Sequence, residues 1–152
     1  MDLFEADLRK TIRAKQRYAY AFHPQYSHGP WPNTQAHPDI DAICAEGRSM
    51  FREEDQWMGR IVRVLEAEGT LNKTLIVVTG DHGFRTNTEY PGFLGGTLDQ
   101  ITYRVPLVLS APGVLGATSP ISWITSHIDI APSVLDLLGV ERERGLELGS
   151  PI

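Results

Sequence analysis

Thr74-Leu75-Ile76-Val77-Val78-Thr79-Gly80-Asp81-His82-Gly83 is an apolar, β-branched run that ends in an Asp-His pair held between two glycines. Its length and composition are those of a buried strand, and the glycines predict a tight turn at its end. In open α/β sheets ligands bind outside the carboxyl ends of strands, which is where this pair falls. A carboxylate beside an imidazole offers a hard oxygen and a borderline nitrogen, a donor pair suited to a divalent metal. The competing reading is a plain strand and turn, because Asp and Gly are ordinary turn formers and a His after an Asp often serves only as a cap. Two donors do not complete a site, so the flanking segments decide between the two readings.

Upstream, residues 2–17 set Leu3, Phe4, Leu8 and Ile12 at helical spacing among charged residues, which predicts an amphipathic helix. Tyr18 to Phe22 reads as a short strand. Residues 23–38 form a loop broken by Pro24, Gly29, Pro30, Pro32 and Pro38, and they carry His23, His28 and His37. A Pro-rich connection of this kind is more often functional than a short link. A long helix is expected over roughly 39–69, with Phe51, Met58, Ile61, Val62 and Leu65 as its apolar stripe and Gly69 as its stop.

Downstream, residues 84–103 are a loop rich in Gly and Thr. Val105 to Ser110 is a second buried strand ended by Ala111-Pro112-Gly113, and Ile121 to Thr125 is a candidate third. Asp129 to Leu138 is a helix, with Ser126 and Asp129 spaced as a capping box and Gly139 as its stop. Alternating strands and helices predict an α/β fold, a mostly parallel sheet with helices on both faces. Only three or four strands can be found, too few for a closed layer, so the chain reads as part of a larger α/β domain.

With 152 residues and 41% hydrophobic content, the chain fits within a single domain with a real core. A formal charge of −5 argues against nucleic acid or an anionic membrane surface as the main partner. The lone Cys44 excludes an internal disulfide. No apolar run approaches the ~18 residues that span a bilayer. Met1-Asp2-Leu3-Phe4-Glu5 lacks the basic and apolar regions of a secretory signal. Oligomeric state is not fixed by any of these features.

The ordered set of segments resembles the later part of the catalytic domain of the sulfatase family, within the alkaline-phosphatase-like superfamily. Ser27-His28-Gly29-Pro30-Trp31 is similar to the family's His-x-Pro loop, and Asp55 to Leu65 to the helix before its metal strand. Asn72-Lys73-Thr74 to Gly83 resembles the strand with its Asp-His-Gly turn, and Arg104-Val105-Pro106 the Arg-x-Pro that opens the next strand. Ser126 to Gly139, containing Asp129-Ile130-Ala131-Pro132-Ser133, resembles the helix near the domain's end. The likeness covers about residues 18–150. It implies that residues 1–152 are the C-terminal portion of one alkaline-phosphatase-like catalytic domain.

The resemblance also implies roles. Asp81 and His82 match the family's metal-holding pair, and the metal neutralises charge building on a sulfuryl or phosphoryl group. His28 matches the histidine that lies against the substrate ester, where an imidazole can stabilise or protonate a charged oxygen. Arg104 and His127 are secondary candidates for contact with an anionic substrate, although an ion pair for Arg104 and a capping or core role for His127 compete. His23 and His37 read as surface loop residues, and Asp55 as structural. The implied partner is a small anionic ester. The implied cofactor is a divalent metal: calcium for a sulfatase, or manganese, magnesium or zinc for a phosphatase-like enzyme. Family members usually act outside the cytoplasm, so the full-length protein is expected there.

Two departures qualify the likeness. The family's nucleophile and first metal carboxylates precede the matched segments, so the isolated chain is expected to be inactive. Cys44-Ala45-Glu46-Gly47-Arg48 imitates the Cys that sulfatases convert to formylglycine. Glu46 stands where that motif needs Pro or Ala, however, and the segment follows the His loop, so Cys44 reads as an ordinary helix residue. The family's Lys after the metal turn is also missing: between His82 and Arg104 there is Arg85 but no Lys. That leaves phosphate ester hydrolysis, phospho-headgroup transfer, or a non-catalytic truncated remnant as alternatives to sulfate ester hydrolysis.

Overall fold

The structure, a computed structural model, describes residues 1–24, 40–83, 100–116, 120–140 and 149–152, leaving aside the side chains of residues 40, 42–44, 46 and 101. The chain divides into two compact units, Met1–Gly113 and Val114–Ile152.

The first unit opens with helix α1, Asp2–Arg13, which carries Asp2 and Glu5 in its first turn and Lys10 and Arg13 in its last, as the helix dipole favours. It stops four residues short of the expected Arg17 because Lys15 takes a left-handed φ of 54°. The N–H groups of Lys15 and Gln16 turn back onto the carbonyls of Ile12 (2.9 Å) and Thr11 (3.2 Å), a Schellman closure that no glycine announced. Helix α2, Ile40–Ala67, ends the same way but with the expected residue. Gly69 takes φ 66°, and Thr70 N–H donates to Leu65 O at 2.8 Å.

Leu8, Val64 and Leu65 are the buried centre of this unit, with Phe4, Ile12, Tyr18, Ile61, Leu71 and Ile76 packed around them. The expected stripe on α2 is therefore only partly a core stripe: Ile61 and Leu65 face inward, whereas Phe51 is 58% exposed. Ion pairs bracket the α1–α2 contact. Arg60 binds Asp2 and Glu5 at one end, while Arg9 and Arg13 reach Glu68 at 2.9 and 2.7 Å at the other. These pairs set α1 alongside the Arg60–Glu68 stretch in the same direction. The hydrogen bonds from Arg13 and then Arg9 hold the Glu68 carboxyl below the usual carboxylate range.

The sheet consists of β1, Ile76–Thr79, and β2, Leu107–Ser110. The class is α/β, as expected, but this pair is antiparallel, with Ile76 opposite Ser110 and Thr79 opposite Leu107. A parallel pair needs a long crossover, usually a helix packed on the sheet. The one helix described between these strands is the four-residue α3, Gln100–Tyr103. Tyr18–Phe22 belongs to no strand among the described residues. It is held by side chains instead: Tyr18 Oη meets Thr74 Oγ1 at 2.8 Å, Phe4 contacts the rings of Tyr20 and Phe22, and Phe22 contacts Trp57.

In the second unit, Ile121 to Thr125 is not a strand either, and Trp123 and Ile124 are exposed. A single 3-10 turn, His127–Asp129, leads into α4, Ile130–Leu137, with Pro132 in the first turn where a missing N–H costs nothing. The capping box forms: Ser126 N–H donates to Asp129 Oδ2 at 2.8 Å and the Ser126 side chain takes the Asp129 N–H, which also closes the 3-10 turn on Ser126 O at 2.9 Å. Asp129 also binds the end of the chain, taking Ser150 N–H on Oδ1 at 2.8 Å. Ile152 N–H donates to Ser133 Oγ at 2.9 Å. Gly139, φ 65°, closes α4 as expected.

Candidate functional site

β1 delivers the chain to Gly80-Asp81-His82-Gly83. Gly80 keeps an ordinary φ, so its value is closeness rather than an unusual turn: a Cβ there would sit 3.4 Å from both Cβ and Cγ1 of Val105. At the other end of the turn, Gly83 N–H donates to Thr102 O at 2.7 Å. The turn is thus gripped at one end by α3, through Thr102, and at the other by Val105 in the link from α3 to β2.

Between these grips the two candidate donors face solvent, with the Asp81 side chain 70% and the His82 side chain 40% exposed. Asp81 Oδ1 accepts His82 N–H at 2.9 Å, which leaves Oδ2 pointing to His82 Nε2 at 3.6 Å. His82 Nδ1 lies 2.9 Å from Gly83 O. A carbonyl can only accept, so Nδ1 carries a hydrogen, and in the neutral ring the lone pair is then on Nε2. Partial burial pushes the Asp81 carboxyl up, but the His82 N–H and ring, its own N–H and the His23 ring outweigh it and hold the group below the usual carboxylate range. The site therefore presents an ionised oxygen and, in the neutral ring, a lone-pair nitrogen 3.6 Å apart. Metal–ligand bonds of about 2.0–2.5 Å let one cation touch both. The pair fits a divalent metal on this ground. Among the described residues no third His, Cys, Asp or Glu joins them in a metal-holding group.

The electrostatic reach of His23 onto Asp81 went unread in the sequence, where His23 passed for loop surface. Tyr18 Oη meets Thr74 Oγ1 ahead of β1, and the His23 ring is among the groups that lower the Asp81 carboxyl after it. The grip by Thr102 and Val105 was also unread. Arg104 lies between those two residues, is exposed, and donates its N–H to Gln100 O at 2.8 Å. His127 opens the 3-10 turn of the second unit and is exposed. His28, His37 and Arg85 lie outside the described residues, as does the side chain of Cys44. A cavity of about 240 Å³ at the end of α2, lined by Glu66, Gly69, Leu71 and Asn72, contains none of the candidate residues. Among the described residues no helix is long and apolar enough to cross a membrane.

Comparison with known proteins adds an independent line. The family model described as Sulfatase matches residues 13–140. The chain is 36% identical over 108 residues to arylsulfatase K of Danio rerio, covering 71% of this chain and 20% of that protein. It is 37% identical over 87 residues to the N-acetylglucosamine-6-O-sulfatase of Bacteroides thetaiotaomicron, covering 57% of this chain and 15% of that one. In fold it is similar to the crystal structure of Ps i-CgsB, with a TM-score of 0.66 and 21% identity over 97% of this chain and 35% of that chain. The chain spans about a fifth of the length of the curated arylsulfatase K relatives.

Proposed function

Because the chain belongs to the sulfatase family, we propose that it forms the later part of the catalytic domain of a metal-dependent sulfate ester hydrolase. The observation that carries this reading is the Asp81–His82 turn, whose Oδ2 and Nε2 lie 3.6 Å apart and open to solvent, with Nδ1 turned to the Gly83 carbonyl. In this reading the two residues hold a divalent metal, calcium, with the remaining donors supplied from outside this chain. The metal, when bound, neutralises negative charge building on the sulfuryl group.

This chain's own residues take the other roles. His28 meets the ester oxygens and gives a proton to the departing oxygen, a task suited to an imidazole near neutral pH. What supports this is that His23, in the same sequence loop as His28, is among the groups that lower the Asp81 carboxyl. Arg104, exposed within the Thr102–Val105 stretch that grips the turn, and His127 serve as secondary contacts for the anionic substrate. The nucleophile comes from the portion of the domain that precedes these segments, and the full-length protein acts outside the cytoplasm. The missing Lys between His82 and Arg104 favours a second reading, hydrolysis of phosphate esters, in which Arg85 meets the anion.

The test begins with the coding sequence upstream of Met1. The reading expects an in-frame extension with a Cys or Ser nucleophile and further carboxylates. The polypeptide it specifies should release sulfate from an aryl sulfate faster than phosphate from the matching aryl phosphate, and His28→Ala and Asp81→Asn should each abolish the release. Preference for the phosphate ester would replace the first reading with the second. A stop codon immediately upstream, with no turnover by the chain, would leave the truncated remnant.

A further inference from the structure

The tetrapeptide Gly80–Gly83 is clasped by the tetrapeptide Thr102–Val105: Val105 packs against Gly80, and the Thr102 carbonyl takes the Gly83 N–H at 2.7 Å. Thr102 is itself buried at 8% exposure, so the clasp is anchored rather than floating. Gly83 then turns its own carbonyl to His82 Nδ1 at 2.9 Å. A neutral histidine free in water prefers its hydrogen on Nε2. With Nδ1 donating to the Gly83 carbonyl, the neutral ring carries its hydrogen on Nδ1 instead and leaves the Nε2 lone pair on the side facing Asp81 Oδ2. A bond between adjacent residues on an exposed turn fixes little unless one of them is held from elsewhere. Gly83 is held by Thr102.

We propose that Gly83 is a positioning residue for the Asp81–His82 pair: held by Thr102, it sets the ring orientation and tautomer that leave His82 Nε2 free to bind a cation. This rests on the reading of the pair as metal donors, and it extends that reading to the backbone behind it. Partners that orient a metal-binding histidine typically change metal affinity by roughly tenfold to a hundredfold when removed.

The test uses the full-length polypeptide that carries these residues, stripped of metal and then with Mn²⁺ as the probe. At about pH 8.5, where imidazoles are largely neutral, nitrogen-15 shifts of His82, assigned against His82→Asn, should show hydrogen on Nδ1. The Gly83 amide should exchange at least roughly tenfold slower than in the unfolded chain, as expected of a bonded N–H. Gly83→Pro, which lacks the N–H, should lose the Nδ1-hydrogen signature and weaken Mn²⁺ broadening of the Asp81 and His82 signals by roughly tenfold or more. Gly83→Ala, which keeps both groups, should stay within about threefold. Hydrogen on Nε2 in the unsubstituted chain, or an unprotected Gly83 amide, would overturn the proposal even if Gly83→Pro does not fold. The metal-free arm separates two failures. The expected tautomer without Mn²⁺ binding upholds the positioning role and counts against the metal reading, while Mn²⁺ binding with the other tautomer does the reverse.

Discussion

Leu65→Ala tests whether the three-residue core beneath β1 holds the first unit together. Leu65 is 2% exposed and packs with Leu8 and Val64, and Ile76 at the start of β1 rests on the same cluster. The truncation removes three carbons, worth about 2 kcal/mol of transfer free energy at ~0.8 kcal/mol per methylene. A residual cavity brings the loss to about 3 kcal/mol, within the range of 2–5 for buried leucines. Against a typical stability of about 5–15 kcal/mol, this is a large fraction. The control is Phe51→Ala on the same helix. Sequence spacing puts Phe51 in the same apolar stripe, yet it is 58% exposed, and its loss should stay within about 0.5 kcal/mol. Urea unfolding followed by far-ultraviolet circular dichroism reads both, as a fall in midpoint at unchanged slope. A Phe51→Ala loss equal to or larger than that of Leu65→Ala would refute the placement of the core.

Further outcomes follow from particular contacts. The hydrogen bonds from Ser150 N–H and then Ser126 N–H hold the Asp129 carboxyl below the usual carboxylate range. Its stabilising contribution is therefore complete above the ordinary Asp pKa of about 3.9 and is lost as pH falls through the lower folded value. Asp129→Asn should lower the melting temperature at neutral pH, and the gap to the unsubstituted chain should close in acid; a gap that widens in acid would contradict it. A Cβ at Gly113 would collide with the Asn72 carbonyl, so Gly113→Ala should lower the melting temperature clearly more than Gly116→Ala, where no described residue lies within 4 Å. Glu68→Gln should loosen α1, because it weakens the partner of both Arg9 and Arg13. Faster amide exchange across Asp2–Arg13 would show this, and unchanged exchange would count against the ion pairs.

The helices were the most legible part of the fold. Their apolar spacing and the stops at Gly69 and Gly139 are local signals, and both glycines close their helices with a left-handed φ. Lys15 does the same for α1 without a residue type that advertises it, so that boundary could not be read. The expected strand at Tyr18–Phe22 has the right aromatic content, but ring packing against Phe4 and Trp57 uses that content in place of a backbone ladder. Strand direction is a long-range property, and the alternation of elements could not show that β1 and β2 pair antiparallel. At the site, Asp81 and His82 were legible as neighbours at a strand end. The contacts from Thr102 and Val105 and the electrostatic influence of His23 join positions far apart in sequence, and nothing local marks them.

The central claim is that Asp81 and His82 are half of a metal site, and metal content tests it most directly. The full-length polypeptide that carries these residues should be purified without chelator and measured by inductively coupled plasma mass spectrometry beside its Asp81→Asn variant. The account predicts a divalent metal, calcium, at stoichiometric level in the unsubstituted protein and a loss of at least roughly tenfold in the variant, the effect expected when a ligating carboxylate loses its charge. Equal occupancy in the two proteins would remove Asp81 from the site and contradict the account.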